Sequence, residues 1–328
     1  MSTPIIDARG LRKTYKVRGR GKEAARTVEA VKGVDITVDA GEIVGFLGPN
    51  GAGKTTTLRM LTTLLDPSGG TATVNGYDLA KDPVGVRRSI GYVAQMGTTD
   101  SSAVAGEELV DQARLYGIDR DVAAERGKAL LSGLDLDGIW ERKCGTLSGG
   151  QRRRLDIAMG LIHEPRMVFL DEPSTGLDPQ SRANLWEHIR RVRDDFDTTV
   201  FITTHYMDEA DALSDRLLVI DHGEIVGAGT SEELKRQVGG DQVLLTAASV
   251  AAAPGLADAA SAILDGAPAE VDGEVVRLTV PHGASTLPQL LRGLGDDHDV
   301  AGVEVRRPTL DDVFLTMTGR SLRDAAEV

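Results

Sequence analysis

The sequence predicts an α/β protein with a mostly parallel central sheet, a helical insertion and a small α+β domain at its C-terminal end. Three observations carry this. Short apolar runs without alternation, Ile43–Leu47, Met167–Leu170, Val200–Thr203 and Leu217–Ile220, have the pattern of strands covered on both faces. Helical patterns such as Thr55–Leu65 and Ser181–Asp194 alternate with them. From about Met96 to Lys143 strand signals give way to amphipathic helical patterns at Glu107–Tyr116 and Val122–Leu131, which places a helical subdomain at roughly 96–160.

The 328 residues, 41% of them hydrophobic, suffice for about two domains with real cores. A formal charge of −13 argues against a general nucleic-acid binder. Residues 241–328 hold 14 Asp and Glu against 6 Arg, and this shift places a boundary near Gly239-Gly240, dividing the chain into 1–238 and 239–328. The single Cys144 allows neither an internal disulfide nor a multi-cysteine metal site. The N-terminus lacks the basic start and apolar run of a signal peptide, and no stretch is long and apolar enough to span a bilayer. A cytoplasmic protein is expected, and any membrane crossing falls to another chain.

Residues 16–27, with five Lys or Arg and one Glu, read as a solvated basic loop. In the tail, strands at Gln242–Thr246 and Gly302–Arg306, helices at Leu256–Leu264 and Ser285–Leu294, and a hairpin through Asp272-Gly273 into Glu274–Val280 give the order β-α-β-β-α-β. That is the ferredoxin-like split unit. A last helix holds Leu310–Thr318.

Gly48, Pro49, Asn50, Gly51, Ala52, Gly53, Lys54 and Thr55, followed by Thr56, fit a phosphate-binding loop between an apolar strand and a helical pattern. Glycines let backbone N–H groups wrap phosphate oxygens, and the helix presents its positive N-terminus. Lys54 is placed to reach the β- and γ-phosphates of a nucleotide, and the Thr55 hydroxyl to bind Mg2+. The buried run Met167–Leu170 delivers Asp171 and Glu172 at its C-terminal end, where ligands sit in open α/β sheets. Asp171 suits the Mg2+ shell and Glu172 the general base that polarises the attacking water. Met167–Glu172 and the loop are joined by a third motif between them, Leu147-Ser148-Gly149-Gly150-Gln151.

These three motifs, in this order, resemble the ATP-binding cassette ATPases, the P-loop NTPase subunits of ABC transporters. The resemblance covers about residues 5–235. It implies ATP and Mg2+ as cofactors, Gln95 as the glutamine that contacts Mg2+ and water, Asp178 in Gly176-Leu177-Asp178-Pro179 as an interface residue, and His205 as the switch histidine. Tyr15 resembles the aromatic that stacks on adenine. In the family two subunits pair head to tail, so Ser148, Gly149, Gly150 and Gln151 of one would complete the nucleotide site on the other.

The continuation Arg152-Arg153-Arg154-Leu155-Asp156-Ile157-Ala158, and Pro308–Phe314 in the tail, are similar to the daunorubicin-resistance type of drug-export subunit. At least one of the three arginines reads as part of a solvated helix face. The branch implies an ATPase, peripheral on the cytoplasmic side of the membrane, that drives a separate permease exporting a drug, antibiotic or lipid, as a homodimer and without nucleic-acid partners. Two other readings stay open: an importer subunit, against which the mixed α/β tail speaks, and a soluble ATPase acting on nucleic acid or ribosomes, disfavoured by one cassette, one cysteine and the acidity.

Overall fold

The computed structural model describes residues 3–17, 26–295 and 300–319. The chain forms two compact units that meet in sequence between Thr230 and Ser231.

The first unit opens with β1 (Ile6–Val17), β2 (Arg26–Val38), β3 (Ile43–Leu47), α1 (Lys54–Leu61), β4 (Gly69–Val74), β5 (Tyr77–Asp78), α2 (Pro83–Ser89) and β6 (Ile90–Val93). A helical stretch follows, α3 (Ala105–Leu115), α4 (Arg120–Gly133), a 3-10 turn at Cys144–Thr146 and α5 (Gly149–Leu161). The chain then returns to α/β alternation through β7 (Met167–Asp171), α6 (Pro179–Phe196), β8 (Thr199–Thr204), α7 (Met207–Leu213), β9 (Arg216–Asp221) and β10 (Glu224–Gly229).

Six of these strands form one sheet in the order β10-β9-β3-β8-β7-β6, parallel except for the edge strand β10. Side chains of β3, β7 and β8 are buried along their whole length, as the continuous apolar runs require. Their pleat divides two cores. Val44, Phe46, Met167, Phe169 and Phe201 pack with Leu58, Met60 and Leu61 of α1 on one face. Ile43, Val168, Leu170, Val200 and Ile202 pack with α5, α6 and the helical subdomain on the other. Helix α5 lies hard against β6, where a Cβ on Gly91 would collide with the Gly160 carbonyl.

A second, antiparallel sheet, β2-β1-β4-β5, was not expected from the sequence. Its strands carry charged residues on an exposed face, so no apolar run marks them; in β2 buried and exposed positions interleave. The basic segment 16–27 is corrected in part: Lys16 pairs with Thr27 and Val17 with Arg26, so both ends belong to β1 and β2. The remainder of that segment lies outside the described residues.

The second unit holds α8 (Ser231–Val238), β11 (Asp241–Ala247), α9 (Ala253–Ile263), β12 (Ala269–Asp272), β13 (Val275–Val280), α10 (Gly283–Leu294), β14 (Val300–Arg306) and α11 (Leu310–Thr318). Its antiparallel sheet runs β12-β13-β11-β14, the ferredoxin-like order. Val243, Leu245, Val276 and Leu278 face Leu256 and Leu290 in its core. The unit starts at Ser231 rather than Gly239 because α8, with Leu234 as its buried anchor, packs on α11.

Candidate nucleotide site

Four neighbouring strands end side by side. Leu47 of β3 leads into the glycine loop, Asp171 closes β7, Thr204 closes β8, and Val93 of β6 precedes Gln95 by two residues. The parallel register sets Asp171 opposite Thr203 and Leu47 opposite Thr204. Carboxyl ends of strands in an open sheet are where a ligand finds converging polar groups.

The loop from Gly48 to Thr56 turns into α1 through Gly53, whose φ of 108° is a left-handed conformation and whose Cβ, if present, would stand 2.6 Å from the Ala30 carbonyl oxygen. Lys54 is 4% exposed. Its Nζ donates to the Gly48 carbonyl at 2.8 Å and the Pro49 carbonyl at 3.1 Å, and lies 3.3 Å from Glu172 Oε1. Burial lowers its pKa, and the carboxylates of Glu172 and Asp171 work against that. Thr55 Oγ1 donates to Asp171 Oδ1 at 3.1 Å, and Thr203 Oγ1 donates to the same oxygen at 2.7 Å.

Glu172 is buried and sits at φ 43°, left-handed for a residue with a side chain. Its Oε2 accepts from Gln95 Nε2 at 2.9 Å and Thr175 Oγ1 at 3.3 Å. His205 Nδ1 lies 3.3 Å from the same oxygen. Burial pushes the carboxyl pKa up, but His205 and the Lys54 ammonium outweigh it and hold the group at about 2. At neutral pH Glu172 is therefore a carboxylate.

Ala30, Asn50, Gly51, Gly53, Lys54, Thr55, Thr56, Gln95 and Glu172 enclose a cleft of about 210 Å3. Oxygen donors converge there without sulfur: the Thr55 hydroxyl beside Asp171, with Gln95 at the rim. This set fits Mg2+, a hard ion that draws its remaining ligands from phosphate and water. A larger cavity of about 700 Å3 lies within the second unit, among residues such as Lys235, Asp241, His282 and Arg307, and contains none of the motif residues.

Other expected residues stand elsewhere. Ser148 and Gly149 are exposed, and Ser148 caps α5 in a reciprocal pair with Gln151: Gln151 N donates to Ser148 Oγ at 3.2 Å, and Ser148 N donates to Gln151 Oε1 at 3.1 Å. None of Ser148, Gly149, Gly150 and Gln151 lines the cleft. Asp178 caps α6, accepting from Ser181 N at 2.9 Å and Ser181 Oγ at 2.6 Å, bonds that lower its pKa. Tyr15 is 39% exposed on β1, with Lys13 Nζ 5.5 Å from its ring centroid, and is also outside the cleft lining.

Sequence reasoning missed Thr203 and Thr175, which touch Asp171 and Glu172 through the β7–β8 register and the turn after β7. It also misjudged the arginines: none of the three stands on an exposed face. Arg152 Nη2 donates to the Cys144 carbonyl at 3.2 Å and Arg154 Nη1 to the Leu134 carbonyl at 2.8 Å. Arg153 is buried against three carbonyls, described below.

Arg154 also reaches buried His188, with Nη1 3.1 Å from Nε2. Burial first, then the Arg154 and Arg191 charges, hold the His188 pKa down to about 4 from 6.5. Between those values the unfolded chain binds a proton that the folded chain refuses, so stability falls as pH drops from 6.5 toward 4. Denaturant titrations at pH 7 and pH 5 should show a smaller loss in His188→Asn than in the wild type; equal losses would remove His188 from the acid sensitivity.

Residues 31–175 match the ABC transporter family, and residues 229–318 match the C-terminal domain of DrrA1-3-like ATP-binding proteins. The daunorubicin/doxorubicin resistance ATP-binding protein DrrA of Streptomyces peucetius is 40% identical over 334 residues, 99% of this chain and 97% of that protein. The doxorubicin resistance ATP-binding protein DrrA of Mycobacterium tuberculosis is 39% identical over 94% of this chain and 92% of its own length. The linearmycin resistance ATP-binding protein LnrL of Bacillus subtilis is 32% identical over 98% of this chain and 100% of its own. Among solved structures, the ADP conformation of MJ1267, an ATP-binding cassette of an ABC transporter, superposes with a TM-score of 0.61 at 25% identity, covering 71% of this chain and 93% of that one. The site at the sheet's carboxyl edge, the ferredoxin-like second unit and these near full-length relatives place the chain in the ABC transporter family, among its DrrA-like ATP-binding proteins.

Proposed function

We propose that this chain is the ATP-hydrolysing subunit of an exporter and works as a head-to-tail pair on the cytoplasmic face of a membrane. The observation that carries the pairing is the position of the signature: Ser148 and Gly149 are exposed and away from the chain's own cleft. A second copy offering Ser148, Gly149 and Gly150 would supply the hydroxyl and backbone donors that a γ-phosphate above the glycine loop lacks.

On nucleotide binding Lys54 exchanges the Gly48 and Pro49 carbonyls for phosphate oxygens. Thr55 and Asp171, with Gln95, would hold Mg2+, which would neutralise phosphate charge when bound. Glu172 takes the proton of the attacking water, Gln95 orients that water, and His205 faces the γ-phosphate. Tyr15 stacks on adenine, and Asp178 acts across the dimer interface. Residues 96–143 contact the permease, and the second unit, which begins with α8, supports pairing or regulation.

Among the described residues no helix is long and apolar enough to cross a membrane. Transport is assigned to a separate permease. The export reading draws on relatives named for resistance to doxorubicin, daunorubicin and linearmycin, and a drug, antibiotic or lipid is the cargo class. The ferredoxin-like second unit favours this branch over an importer. Tagged chain extracted in mild detergent should bring down one integral membrane protein, and its ATPase should rise with apolar compounds. Recovery without any membrane partner would sink the exporter reading.

A further inference from the structure

One helix grips the hydrolytic segment from behind. Arg153 on α5 is 6% exposed, and its guanidinium donates to the Ala94 carbonyl at 2.6 Å, the Pro173 carbonyl at 2.8 Å and the Asp171 carbonyl at 3.1 Å. These carbonyls adjoin Gln95 on one side and bracket Glu172 on both. Three residues further along the same helix face, buried Asp156 accepts from Thr98 N at 3.3 Å, and Gly97 passes so close that a Cβ there would stand 2.8 Å from Asp156 Oδ2. The segment 94–98 is thus held near both ends by side chains of α5, while Gln95 between them reaches Glu172. The same helix begins at Ser148, about 12 Å from Asp156 at ~1.5 Å of rise per residue.

We propose that Arg153 and Asp156 are positioning residues that couple a cassette's own Gln95 and Glu172 to whatever its signature holds, so that each chain's hydrolytic pair is set by the nucleotide on its partner. A planar guanidinium shared among three carbonyls tolerates little displacement. Movement of the Ser148 end, along a rigid helix that also lies against β6, therefore shifts the segment 94–98 rather than bending a side chain. The inference rests on the head-to-tail reading above.

The test uses the full-length chain purified with its permease. Arg153→Gln should lower kcat by about 10- to 100-fold, with the KM for ATP held within about twofold because the phosphate loop is untouched. Arg153→Lys, which keeps the charge but cannot span three carbonyls, should recover little. Arg152→Gln, on the same helix but bonded to Cys144, should stay near wild type. Amide exchange supplies a readout that a merely structural role would not move. In a Glu172→Gln background, ATP should slow exchange at Gly97 and Thr98, and adding Arg153→Gln should abolish that slowing while ATP stays bound. Asp156→Ala, which removes the acceptor for Thr98 N, covers the case of an Arg153 variant that does not fold, and should abolish the same protection. Unchanged ATP-dependent protection in the folded variants, or an equal kcat loss in Arg152→Gln, overturns the coupling. Ser148→Arg tests the pairing separately: normal turnover there refutes the head-to-tail reading itself.

Discussion

Glu172→Gln should bind ATP at least as tightly as the wild type and turn it over about 10²- to 10⁴-fold more slowly, the range a positioned general base contributes. Paired with the Lys54 ammonium 3.3 Å away, one of the causes of its low pKa, the carboxylate is held at about 2, too low for an effective base. ATP draws Lys54 to its phosphates, so the carboxylate loses a stabilising charge and gains proton affinity when the water arrives. The amide keeps the shape and still accepts from Gln95, but takes no proton. It also spares ATP the work of separating a buried ion pair, which is why affinity should hold or improve. Single-turnover hydrolysis alongside nucleotide titration decides the matter: turnover within a few-fold of wild type removes Glu172 as the base.

Lys54→Ala should weaken ATP binding by about 10- to 100-fold, the worth of ~1.5–3 kcal/mol in charge-assisted hydrogen bonds. A second effect is independent of nucleotide. Removing Lys54 strands Glu172 as a buried carboxylate, and breaking such a pair from one side costs ~3 kcal/mol or more. The double variant Lys54→Ala/Glu172→Gln should regain thermal stability without regaining affinity. Calorimetric titration and melting together read both effects, and an unaltered ATP affinity in Lys54→Ala would overthrow the phosphate assignment.

Both predictions concern residues legible in the sequence, because the glycine loop and the acidic strand end are local patterns. The buried strands β3, β7, β8 and β9 were legible for the same reason: two-sided burial leaves an uninterrupted apolar run. The ferredoxin-like order of the second unit followed from the Asp272-Gly273 turn and the alternation around it. The sheet β2-β1-β4-β5 escaped because one-sided strands dilute their apolar residues with Lys, Arg and Glu. Helix α8 was given to the wrong unit since its partner, α11, is distant in sequence. Thr203 meets Asp171 only through strand register, and Arg153 meets Ala94 and Pro173 only after α5 is laid on β6. Local patterns write the chemistry; the contacts that aim it are written by topology.

The backbone at Glu172 carries one more consequence. Its φ of 43° is a conformation that glycine adopts freely and that costs a residue with a Cβ about 1 kcal/mol. A glycine at this position would relieve that strain but strand Lys54 as a buried, unpaired ammonium, at a cost of ~3 kcal/mol or more, and would leave no base. The cassette thus bears backbone strain at one residue to aim a carboxylate, and the ion pair with Lys54 ties stability to catalysis there, so a substitution that relaxes the backbone at Glu172 loses both.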